Sequence, residues 1–186
     1  ESMLGAWDTL KESGVQFIWQ TGKYYYEDIT RQLKERELKN VHVCDFISSM
    51  DAAYAAADLV ISRAGAGSIS EFCLLGKAVI LVPSPNVSED HQTKNALALV
   101  NKDAALYVKD ADASNALIPL ALDTVKDEER LSALSKNILT LAFHVQKQFV
   151  GGAHQVFLRH ADDLRLPIFL ILLGKEAAVE HQSFQY

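Results

Sequence analysis

The feature that most constrains this chain is a regular alternation of short apolar runs with longer amphipathic stretches, sustained over residues 15–108. Val15-Gln16-Phe17-Ile18-Trp19-Gln20 is strand-like and stops at Gly22. Residues 24–38 carry charges on a helical period, and Asn40 closes them. Residues 41–46 form the next strand, and an alanine-rich helix covers 51–57. A third strand at 58–62 leads to a short helix at 68–75 capped by Gly76, and a fourth strand at 78–82 ends at Pro83. After a loop containing Pro85 come a helix at 91–100, a fifth strand at 105–108, and helices at 114–125 and 128–142. Several of these strands are apolar throughout instead of alternating, which requires burial on both faces. Strand–helix alternation with buried strands predicts an α/β fold with a parallel, doubly wound sheet. Ligands of such sheets bind beyond the carboxyl ends of the strands. Four loops are thereby singled out: after Gln20, after Phe46, after Ser62 and after Pro83.

The 186 residues suffice for one domain with its own core, and 49% hydrophobic with 23% charged residues is ordinary for a globular chain. A formal net charge of −6 argues against a non-specific nucleic-acid binder. Cys44 and Cys73 lie in apolar segments without CxxC spacing, so buried reduced thiols are expected. The start Glu1-Ser2-Met3 shows no basic region followed by an apolar one, and the apolar run 168–173 is far shorter than the roughly 20 residues of a membrane span. A soluble cytoplasmic protein is the expectation. Past Phe143 the periodicity stops: the domain is expected over 1–142, and 143–186 form a divergent tail without an assigned structure. The tail holds His144, His154, His160 and His181 and the pair Gly151-Gly152, with no i, i+4 histidine spacing of a zinc site.

In the loop after the third strand, Gly65-Ala66-Gly67 lets backbone approach a ligand closely, and Ser68 opens a helix. The unpaired N–H groups and dipole of a helix start favour phosphate. Spacing alone is a weak signal, since neither a P-loop nor GxGxxG is present. Ser68-x-x-Glu71 has the form of a capping box, which would make Glu71 structural. In the functional alternative, the Glu71 carboxylate accepts from two ribose hydroxyls; spacing alone favours the cap. The segment Asp90-His91-Gln92-Thr93-Lys94-Asn95 suits a many-hydroxyl ligand as well as it suits a solvated helix start capped by Asp90. A glycine turn at Gln20-Thr21-Gly22-Lys23 and aromatic plugging of the core by Phe46-Ile47 are the simpler readings there. Arg63 pairs either with phosphate or with Asp58 or Glu71.

Taken together, Gln20-Thr21-Gly22-Lys23, Phe46-Ile47-x-x-Met50-x-x-Ala53-Tyr54-x-x-Ala57-Asp58, Arg63-x-Gly65-Ala66-x-Ser68-x-x-Glu71 and Asp90-His91-Gln92-x-x-Asn95-Ala96 occur in the order and spacing of a known family. Over about residues 1–142 the chain resembles the C-terminal, donor-binding domain of the MurG glycosyltransferases. The resemblance implies one Rossmann-like half of a GT-B fold that binds UDP-N-acetylglucosamine, for an inverting, metal-independent hexosyl transfer from lipid I to lipid II in peptidoglycan biosynthesis. It implies no cofactor. Phe46 and Ile47 match the uracil positions, Glu71 the ribose ligand, and Ala66, Gly67 and Ser68 the diphosphate segment. His91 and Gln92 match the sugar-recognising pair, with Asn95 one turn on, and Thr21 matches a small hydroxyl residue beside the nucleotide. Capping and ribose binding by Glu71 are compatible if its two oxygens divide the work.

The resemblance also departs from the family pattern. The family's first strand with its glycine-rich loop is not matched, nor is the N-terminal acceptor domain, and the tail after Phe143 differs from the family's closing helix. No catalytic residue is expected here, so the chain alone should bind UDP-sugar weakly and turn over nothing. Its partners are then an acceptor domain, or a separate acceptor-half subunit, and through it a lipid-linked acceptor. Full-length members sit peripherally on the cytoplasmic face of the inner membrane. Alternatives are a non-catalytic donor-binding subunit of a two-chain transferase, or another GT-B UDP-sugar enzyme such as an epimerase or lipid glycosyltransferase.

Overall fold

The computed structural model describes residues 2–85, 90–142 and 169–173, the last as backbone. The loop positions 86–89 and the tail histidines and glycines lie outside them. Strands β1 (Gln16–Gln20), β2 (Val41–Cys44), β3 (Leu59–Ser62), β4 (Val79–Leu81), β5 (Leu106–Tyr107) and β6 (Phe169–Leu173) make one sheet in the order β2-β1-β6-β3-β4-β5. The helices are α1 (Trp7–Glu12), α2 (Lys23–Glu35), α3 (Met50–Ala56), α4 (Ala66–Leu75), α5 (His91–Val100), α6 (Ala113–Val125) and α7 (Glu128–Thr140).

The doubly apolar strands are explained by two cores. Phe17, Trp19, Leu59, Ile61 and Ile80 face one, shared with Leu10 of α1, Leu33 of α2 and Leu117 of α6. Ile18, Val60, Val79 and Leu81 face the other, shared with Tyr54 of α3, Phe72 of α4 and Leu99 of α5. With a strand period of two, one residue of each neighbouring pair enters each core. The chain crosses one face through α2 and returns over the opposite face through α3, as a doubly wound sheet requires.

The expected strands and helices are present, with boundaries shifted by a few residues, and three details differ. First, the sheet is not wholly parallel. β1–β2, β3–β4 and β4–β5 pair in parallel, but β6 lies antiparallel to both β1 and β3. The short apolar run of the tail is therefore a central strand. Among the described residues β1 and β3 do not pair with each other, so β6 alone joins β2-β1 to β3-β4-β5.

Second, α2 ends at Glu35, and Asn40 acts elsewhere: its Nδ2 donates to the carbonyls of Leu10 and Val15, 2.8 Å each, tying α1 to the entry of β1. Third, α4 begins at Ala66 with Gly65 as N-cap, so Ser68 lies inside the first turn and caps nothing. The capping box is thus overturned, because a side chain within the helix has lost the extended backbone from which a cap reaches N3. Gly76 does end α4, at φ 62°, a left-handed conformation that suits glycine.

Both cysteines are free thiols. Cys73 is buried, and burial, helped by Asp45, pushes the half-buried Cys44 up to about 11. This fits inert structural thiols. Among the described residues, no helix is long and apolar enough to cross a membrane.

Candidate functional site

The four loops singled out converge on the carboxyl edge of β1, β2, β3 and β4, and each is laced to a neighbour by a side chain. At the end of β1, the buried Gln20 accepts the Ile47 amide on Oε1 at 2.8 Å. This fixes the loop after β2, where the Phe46 amide is in turn held by Asp45 Oδ1 at 2.8 Å. Ile47 points into the core at 6% exposure, whereas Phe46 is 52% exposed. An aromatic core plug at Phe46 is therefore excluded: its ring lies on the open edge. Thr21 is 1% exposed, and its hydroxyl is oriented inward toward the Gly22 and Cys44 carbonyls at 3.2 and 3.3 Å.

Arg63, at the end of β3, pairs among the described residues with neither Asp58 nor Glu71. Its Nη1 donates to the carbonyls of Val82 (3.0 Å) and Pro83 (3.2 Å) and pairs with Asp110. The side chain is only 17% exposed, so this is more than a loose surface pair. It braces the loop after β4 against the loop after β3. From the other side, Asn95 of α5 donates to the Ala64 carbonyl at 3.2 Å. Gln92, 7% exposed, accepts the Ser84 amide on Oε1 at 2.9 Å, and His91 is exposed at the start of α5. Asp90 occupies the N-cap of α5 in a left-handed conformation, and its side chain makes no capping bond, which goes against the capped-helix alternative for this segment.

The first turn of α4 is open at this edge, with Ala66 and Gly67 exposed and Ser68 partly so. Among the described residues, a Cβ added at Gly65 or at Gly67 would meet nothing within 4 Å, and neither residue has a positive φ. Neither packing nor backbone conformation thus calls for glycine there.

Glu71 lies one helical turn beyond Gly67 on the same face of α4, by the i, i+4 rule. Relieved of capping, it has another partner: the Tyr54 hydroxyl donates to Glu71 Oε2 at 2.8 Å. Tyr54 is 5% exposed on α3, and its ring packs edge-on against Phe72 at 5.9 Å between centroids. Burial first, then the Glu71 charge, raise the Tyr54 phenol far above its ordinary value, so it stays protonated and donating. Sequence reasoning placed Tyr54 only as a motif position. A helical period does not reveal which loop a hydroxyl will reach.

Residues 2–154 match the glycosyltransferase family 28 C-terminal domain. The chain belongs to this family. Similar curated proteins are the UDP-N-acetylglucosamine–N-acetylmuramyl-(pentapeptide) pyrophosphoryl-undecaprenol N-acetylglucosamine transferases of Bacteroides fragilis and Phocaeicola vulgatus. The first is 68% identical over 133 residues, which is 71% of this chain and 35% of that protein. The second is 66% identical over 137 residues, 73% of this chain and 36% of that protein. The crystal structure of Acinetobacter baumannii MurG superposes with a TM-score of 0.57 at 28% identity, covering 70% of this chain and 39% of that one. The chain thus spans about a third of the length of the curated relatives it matches. The expected Rossmann-like half of a GT-B glycosyltransferase is the family 28 domain seen here.

Proposed function

We propose that this domain binds UDP-N-acetylglucosamine as the donor half of an inverting N-acetylglucosaminyltransferase that converts lipid I to lipid II in peptidoglycan synthesis. The observation that carries the proposal is the first turn of α4: exposed backbone at the carboxyl edge of the sheet, with glycines that neither fold nor packing demands. The curated relatives, each named as this transferase, supply the donor.

In this reading the diphosphate sits against the N–H groups of Ala66, Gly67 and Ser68, where the helix dipole favours negative charge. The acceptor hydroxyl attacks the anomeric carbon, and the bonding electron pair leaves with UDP. The helix-start N–H groups stabilise the charge growing on the leaving diphosphate. No metal or cofactor is invoked. Uracil lies on the exposed Phe46 ring. Because the Ile47 amide is committed to Gln20, the Ile47 carbonyl is the group that accepts from the base. Glu71 takes the ribose hydroxyls, and His91 and Gln92 take the sugar. Thr21, Arg63 and Asn95 serve by holding the loops in place.

The general base and the lipid-binding surface belong to an acceptor half, in the same polypeptide or a separate subunit, that seats the enzyme on the cytoplasmic face of the membrane. The donor-binding domain takes in residues 1–142 together with β6, the strand that completes its sheet. The chain by itself binds UDP-sugar without turnover.

Two substitutions test this by calorimetric titration paired with denaturant melts. Gly67→Ala is expected to keep or raise stability, since alanine is favoured over glycine in a helix by up to about 1 kcal/mol. At the same time it weakens UDP about tenfold, the scale of one charge-assisted hydrogen bond. Unchanged affinity would remove the diphosphate from α4. Gln92→Ala is expected to reduce the preference for UDP-N-acetylglucosamine over UDP-glucose. It also costs about 1–3 kcal/mol of stability, because the buried Ser84 amide loses its acceptor. An unaltered preference would take sugar recognition away from Gln92.

A further inference from the structure

We infer that Tyr54 is a positioning residue for donor binding: its hydroxyl holds Glu71 Oε2, so that Oε1 is presented to the vicinal hydroxyls of the ribose. The inference rests on the proposed nucleotide site and deepens it.

The argument is geometric. An ionised carboxylate has two oxygens and about four lone-pair directions. On the partly exposed Glu71, a flexible side chain one turn into α4, those directions would turn with the rotamer. Tyr54 removes that freedom. It is buried on a separate helix, its ring is locked edge-on against Phe72, and its hydroxyl reaches Glu71 Oε2 at 2.8 Å. No other side-chain hydrogen bond to Glu71 occurs among the described residues. One oxygen is thus anchored to α3 and the other is left for a ligand. A cis-diol presents two adjacent donors, and an acceptor already fixed in orientation meets them without losing rotamer freedom on binding.

Two other features are accounted for. A buried tyrosine hydroxyl needs a partner, and Glu71 is the one it reaches. The bond also replaces the capping box that the spacing of Ser68 and Glu71 suggests, which leaves the carboxylate facing across α4 instead of back along it.

The test is a two-by-two titration of the full chain, wild type and Tyr54→Phe, with UDP and with 2′,3′-dideoxyuridine diphosphate. Phenylalanine keeps the ring and its packing on Phe72 and removes only the hydroxyl. The wild type is expected to bind UDP more tightly than the dideoxy analogue. Tyr54→Phe is expected to shrink that preference about fivefold, the worth of one ordinary hydrogen bond, with affinity for the analogue unchanged. Unchanged analogue binding also shows that the variant is folded. Equal weakening of both ligands, or an intact preference in Tyr54→Phe, would overturn the positioning role while leaving ribose binding by Glu71 standing. A wild type indifferent to the two hydroxyls would overturn the ribose reading itself, and the role of Tyr54 with it. A second measurement needs no variant: with 13Cζ-labelled tyrosine, the Tyr54 resonance is expected to shift on adding UDP and to stay in place with the dideoxy analogue. Equal shifts with both ligands would count against the inference.

Discussion

Placing proline at Ile171 is expected to unfold the protein, or to leave it without a cooperative transition. Ile171 is the middle residue of β6, in register with Ile18 of β1 on one side and Val60 of β3 on the other. Proline has no amide hydrogen and is confined to strand ends, edges and bulges, so a central strand with neighbours on both sides is the worst place for it. The orphaned carbonyl opposite costs about 1–3 kcal/mol by itself. The larger effect is topological. Among the described residues, β6 is the one link between β2-β1 and β3-β4-β5, so parting it from either neighbour divides the sheet. Both cores are then opened along their centre. With a total stability on the order of 5–15 kcal/mol for an ordinary domain, such a loss is not absorbed. Far-ultraviolet circular dichroism through a urea titration checks it. A wild-type midpoint in Ile171→Pro would show that β6 is dispensable to the sheet.

The second large effect falls on binding. Glu71→Ala is expected to weaken UDP, UDP-N-acetylglucosamine and UDP-glucose alike, by about 100-fold or more. Two ribose hydroxyls donating to a carboxylate are charge-assisted contacts worth roughly 1.5–3 kcal/mol each, and every tenfold in affinity corresponds to about 1.4 kcal/mol. A uniform loss is the signature, because the ribose is common to all three ligands. The variant also strips the buried Tyr54 hydroxyl of its acceptor, so stability falls too, by about 1–3 kcal/mol. Calorimetry well below the melting temperature separates the two effects. A lower melting temperature with unchanged affinities would make Glu71 a structural partner of Tyr54 and nothing more.

The layered sheet was legible in the sequence because its evidence is local. Runs such as Leu59-Val60-Ile61 are apolar on both faces, and only a strand buried between two helical layers calls for that. Boundaries slipped where local evidence is thin. Ala66 and Gly67 carry little or no side chain, so the periodicity of α4 begins only at Ser68, and the capping box followed from that late start. β6 offered a six-residue apolar run between Pro167 and Gly174 with no period of its own, and its place was settled by pairing with strands far away in sequence.

The loops that form the candidate site were legible through their motif spacing, but the connections between their residues were not. Tyr54 and Glu71 are 17 positions apart, Gln20 and Ile47 are 27, and Arg63 and Asp110 are 47. Each is a side chain reaching over one or more intervening elements, and neither propensity nor hydrophobic periodicity encodes such a reach.

The lacing of the loops has a consequence for how a ligand is met. Gln20 clasps the loop after β2, Arg63 clasps the loop after β4, Asn95 ties α5 to the loop after β3, and Gln92 returns to Ser84. Each connection is made inside the protein, so these loop segments take their shape when the chain folds and not when a nucleotide arrives. A pocket assembled in this way behaves as a mould: it selects ligands by fit, and a fault in any one clasp is felt at contacts the altered residue never makes.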